Sequence, residues 1–139
     1  MYNDILYIEF NHYEQLDMSN KTRYSDEELK EFDQLLDIKI AKAQEQLDYY
    51  LEQIKIKAES DDSKLKGLDD AAGAQQLEQL QVRAERQSKM LKHLDNAKLR
   101  IKNKVYGVCR ESGALISKER LRAVPHATLS IKAKQAKLK

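Results

Sequence analysis

Apolar side chains recur along the first half of the chain at alternating steps of four and three: Leu36, Ile40, Ala43, Leu47, Tyr50 and Ile54. That spacing places them along one face of a helix and predicts a coiled-coil-like seam. Ser25 and Glu28, three residues apart just ahead of the series, predict a capping box and a helix start. No Gly or Pro interrupts the chain from Ser25 to Ala58. Residues 59–68, ESDDSKLKGL, break the pattern with acids, two serines and Gly67, and predict a turn. The spacing then resumes with Leu77, Leu80, Ala84, Gln87, Leu91 and Leu94, and Ala97 and Ile101 carry it towards Tyr106-Gly107. Gln87 is its one polar member.

Two seams of similar length joined by a short loop bury each other by folding back antiparallel. The predicted fold class is therefore mainly α: a long two-helix coiled-coil hairpin over 25–104 with its tip at 59–70. At about 1.5 Å rise per residue each arm is roughly 45–50 Å long. Such a rod has a single row of contacts and needs a base. Ile5, Leu6, Ile8, Phe10 and Tyr13, with Val105, Leu115, Ile116, Leu121, Val124, Leu129 and Ile131, are the apolar material for one. Residues 1–24 are thus read as an extension and base segment, and 105–139 as a compact segment ending in a basic helix. A monomer is expected; the alternative is a homodimer paired through the same seams.

Composition agrees with long helices. Aromatics make up only 6% of the chain, Trp is absent, and four Gly and one Pro are too few for the turns of a sheet-rich fold. A single cysteine excludes an internal disulfide and suits a reducing, cytoplasmic setting. Residues 1–17 hold four acids and no Lys or Arg, unlike a secretory leader, and Met18 begins a plausible alternative start, so 1–17 is read as an accessory extension. No stretch has the length to span a bilayer, and no membrane partner is expected.

Charge is the uneven feature. Residues 96–139 hold twelve bases against two acids, a net of +10, while the rest of the chain is acidic. Such a block suits phosphates, an acidic protein surface or a nucleotide. Enzymatic chemistry is not expected. His12, His93 and His126 are scattered, and there is no glycine-rich phosphate loop or nucleophile–histidine pattern.

The segment from Tyr106 to Lys134, YGVCRESGALISKERLRAVPHATLSIKAK, resembles the zinc-finger segment of the DksA/TraR family of bacterial transcription factors. Tyr106, Gly107, Cys109, Gly113, Ile116, Arg120, Leu121, Ala123, Pro125, Ala127 and Leu129 carry the resemblance, and the preceding hairpin extends it back to about Tyr24. The family's four cysteine ligand positions fall on Cys109, Ser112, Ser130 and Ala133. Serine hydroxyls are poor zinc donors and alanine offers none. Cys109 and His126 would make two ligands only. The expectation is therefore a degenerate finger with no zinc, in which Cys109 is a buried small residue and apolar packing replaces the metal.

The resemblance implies RNA polymerase as partner, with the hairpin inserted through the secondary channel so that acidic tip residues modulate initiation, often together with guanosine tetraphosphate. Counting back from Tyr106 places the family's tip motif at Lys66, Asp69 and Ala71, where Asp69 and Ala71 match; Asp70 adds a second acid. Asp69 and Asp70 also suit the capping of a second helix. Arg120, Arg122 and Lys134 are candidate polymerase or nucleotide contacts. Val124 stands where the family has a basic residue before the proline, which leaves guanosine tetraphosphate dependence open. Competing readings are a coiled-coil adaptor for another protein and, behind it, direct DNA binding by the basic end; sequence-specific DNA binding is not expected.

Overall fold

The structure, a computed structural model, describes residues 22–63 and 70–138. The proposed extension at 1–17 and its apolar residues lie outside the described residues. Four helices follow in order: α1 (Asp26–Ser63), α2 (Asp70–Lys102), α3 (Lys118–Ala123) and α4 (Ile131–Lys137).

α1 begins at the predicted capping box. The Ser25 amide donates to Glu28 Oε1 (3.1 Å) and the Glu28 amide to Ser25 Oγ (3.2 Å), satisfying two donors that have no partner within the helix. Asp26, Glu27 and Glu28 complement the positive end of the helix dipole. The helix continues to Ser63, beyond the predicted start of the turn at 59. Acids and serines weaken a helix without stopping it, and the first glycine after Ser25 is Gly67.

α2 ends in a Schellman turn, with Lys104 N–H bonded to Ile101 O (3.0 Å) and Val105 N–H to Arg100 O (2.9 Å). Lys104 takes the left-handed position usually held by glycine (φ 61°). From there its ammonium reaches Asp26 at the start of α1 (3.1 Å).

The two arms pack along the predicted seams, all of whose members are buried or half-buried. Ala43 and Ala84 are buried in mid-rod. Gln87, the polar member, donates to Gln46 Oε1 on the other arm (2.9 Å). Nearer the base, Lys98 of α2 joins the arms by contacting Asp37 (2.5 Å) and Asp33 (2.9 Å) of α1.

The base is centred on aromatics. The Phe32 ring lies edge-on to Tyr24 (5.6 Å between centroids) and tilted against Tyr106 (5.3 Å). Leu29, Ile116, Leu121 and Ala127 complete this end of the core. Tyr24 O–H donates to Ile116 O, and Tyr106 O–H to Pro125 O (2.8 Å). Burial holds both phenols protonated above their ordinary range. Of the apolar residues assigned to the base from sequence, Val105 and Ile131 are instead about half exposed, at 50% and 51%. Between α2 and α3 one isolated antiparallel bridge joins Val108 and Leu115.

Gly107 is the tightest point. It has φ 78°, and a Cβ there would lie 2.5 Å from Tyr24 Cε2. Gly107→Ala therefore combines backbone strain with overpacking, each costing on the order of 1–3 kcal/mol. A marked fall in the urea midpoint is expected, with Gly113→Ala as a milder control because its Cβ would meet nothing within 4 Å.

Candidate functional site

The segment after α2 forms a knuckle in which the four predicted ligand positions converge. The Cys109 amide donates to Ala114 O (2.8 Å), and the Gly113 amide returns to Cys109 O (2.9 Å). The Ser130 amide donates to Cys109 Sγ (3.4 Å). Ser112 Oγ accepts from the Ala114 amide (3.3 Å), and Ser130 Oγ accepts from the Ala133 amide (3.1 Å), capping α4. Ser117 caps α3 in the same way through the Arg120 amide (3.3 Å).

Cys109 is buried, as expected. Its thiol is nevertheless pushed down to about 6, first by hydrogen bonding from the Ser112 side chain and then by the Ser130 and Ser112 amides, which together outweigh its burial. The expectation of an inert small residue missed this, because the donors assemble from positions three and twenty-one residues away in sequence.

Several basic residues are fasteners of the base. Arg120 Nε donates to Leu129 O (2.8 Å) and Arg100 to His126 O (3.3 Å). Lys118 pairs with Glu28 of α1 (2.7 Å), and Arg122 with Glu31 of α1 (3.6 Å). Of the three proposed contact residues, Arg120 is thus half-buried inside the knuckle, Arg122 lies at its junction with α1, and Lys134 is exposed on α4. At the tip, Asp69 lies outside the described residues; Asp70 opens α2 and Ala71 follows it, exposed.

This arrangement defines a class: a long helical hairpin seated on a small finger-type knuckle. Residues 104–137 match the family model described as the prokaryotic dksA/traR C4-type zinc finger. The chain is similar to the solved structure of transcription factor DksA2 from Pseudomonas aeruginosa, with a TM-score of 0.73 and 24% identity over 90% of this chain and 95% of that one. Curated protein sequences yield no match. Residues 104–137 thus carry the finger segment of that family, and the chain as a whole shares the fold of that structure.

The match corrects one expectation from sequence. A zinc-free segment was expected, whereas the family model that covers it is that of a C4-type zinc finger and so implies zinc. The donor set present does not fit a four-thiolate site. Cys109 is the sole thiol, the Ser112 and Ser130 hydroxyls are engaged with backbone amides, and Ala133 has no donor atom. The described residues also contain no group of three or more His, Cys, Asp or Glu placed to hold a metal.

A feature with no counterpart in the sequence pattern is the stacking of His93, on α2, against His126 in the knuckle (5.6 Å between centroids, 16° between planes). His126 Nδ1 is buried without a hydrogen-bond partner. Burial, then the charges of His93, Arg100 and Arg120, hold its pKa below the ordinary 6.5. The unfolded chain therefore takes up this proton first as pH falls through about 6.5, so stability is full above that value and declines below it. The urea midpoint is expected to fall between pH 7 and 5, and His126→Gln should flatten that part of the profile; an unchanged slope in the variant would assign the effect to other groups.

Proposed function

We propose that this protein is a non-catalytic transcription regulator that binds RNA polymerase and extends its hairpin through the secondary channel towards the catalytic centre. The observation that supports this most is the mounting. A slender pair of arms, with α1 of 38 residues and α2 of 33, is held at one end by a compact knuckle, and among the described residues the arms alone form the opposite end, a shape suited to a narrow passage. At about 1.5 Å per residue the arms reach roughly 50 Å. The acids of the distal stretch, Glu59, Asp61, Asp62, Asp69 and Asp70, would there meet cationic elements or magnesium-bound groups where little water screens them. Asp69 is the residue proposed to act, with Asp70 and Ala71 beside it. The knuckle, with Lys134 and Arg122 at its surface, would rest on the channel rim.

Immobilised protein is expected to retain RNA polymerase and to lose it when another secondary-channel factor is added. Asp69→Asn should leave that retention within about twofold and remove the effect on promoter transcription in a purified system. Absence of retention would instead favour an adaptor for a different partner, and full transcriptional activity of Asp69→Asn would remove the tip assignment.

A further inference from the structure

We infer that the distal half of the hairpin carries a docking face for an acidic protein segment, centred on Lys57 and Arg83. The inference takes its partner, RNA polymerase, from the function proposed above, and adds which side of the hairpin is gripped and by what chemistry. Between the arms lies a notch of about 410 Å³ where Gln53, Ile56 and Lys57 of α1 face Gln76, Gln79 and Arg83 of α2. Gln76 and Arg83 are seven residues apart, which keeps them on the same side of α2. Lys57 is half-buried and donates one proton to Gln76 Oε1 (2.7 Å). An ammonium has two more to give.

No carboxylate among the described residues lines this notch. Among the described residues neither Lys57 nor Arg83 forms an ion pair. Arg83 has glutamines, not acids, four residues to either side. Two cations and several amide donors therefore converge on a concave surface whose described lining supplies no counter-charge, and an incoming carboxylate would be stabilised by both.

The border of the notch selects a polypeptide over a free anion. Ile56 is 49% exposed, and Tyr49, seven residues back on the same side of α1, is 60% exposed. A protein segment with an acidic residue and an apolar neighbour covers that border; a phosphate ion leaves it in water.

The test uses the full chain and core RNA polymerase, with affinity read by fluorescence anisotropy. Lys57→Glu with Arg83→Glu is expected to weaken binding about tenfold or more, while Lys57→Arg with Arg83→Lys stays within about threefold. Circular dichroism melts should coincide with wild type, because Arg83 is exposed and Lys57 is half-exposed. Wild-type binding combined with unchanged affinity of the charge-reversed variant would overturn this inference and leave the proposed function standing. No binding by wild type would remove both. Saturable binding of inorganic pyrophosphate at submillimolar concentration, abolished by Arg83→Glu, would assign the notch to a free anion and overturn the protein-segment reading.

Discussion

Everything in this structure depends on the aromatic junction at the foot of the hairpin. Phe32 sits between Tyr24, which precedes α1, and Tyr106, which follows α2. Two helices joined at one end and touching along one seam have, among the described residues, no second layer to resist splaying. The junction supplies that resistance where the chain enters and leaves the hairpin. Each tyrosine also extends its hydroxyl to a carbonyl of the knuckle, Ile116 O from Tyr24 and Pro125 O from Tyr106. Rod and knuckle are consequently one packed body at this end, and Gly107 permits it by letting the backbone pass against the Tyr24 ring without a side chain in the way.

Within the knuckle, order comes from gripping backbone carbonyls. Pro125 O, His126 O and Leu129 O accept from Tyr106, Arg100 and Arg120 in turn, so that α2, its exit and α3 all hold the same loop. The basic end therefore serves two purposes. Arg100 and Arg120 are turned inward to carbonyls and Lys118 to Glu28, while Lys134 on α4 faces water. Counting charges overstated the surface available to a partner, because an arginine reads the same in a sequence whether it grips a carbonyl or faces a phosphate.

The same distinction orders the rod. Lys98 is committed to Asp33 and Asp37, and Gln87 to Gln46. Polar groups near the base and in mid-rod thus fasten one arm to the other. Towards the tip, Lys57 still reaches Gln76 across the arms, and with Arg83 it flanks a notch whose described lining holds no acid. Cross-arm polar bonding therefore runs from the foot to the distal half, by ion pairs at Lys98 and by side-chain amides at Gln87 and Gln76.

Much of this architecture was determined by the sequence alone. The alternating steps of Leu36 to Ile54 and Leu77 to Ile101, the Ser25/Glu28 box and the glycine-poor arms fix two long antiparallel helices, because helical periodicity and capping act over a few residues and are written locally. The Tyr106-Gly107-x-Cys109 segment likewise revealed the kind of knuckle that follows. Only the tertiary structure decided how far α1 runs past Glu59, that Val105 and Ile131 face outwards, that donors from Ser112 and Ser130 converge on Cys109, and that His93 meets His126. Those outcomes join residues up to several dozen positions apart, and burial, ion pairing and acidity belong to the neighbours that folding brings together rather than to any residue's place in the chain.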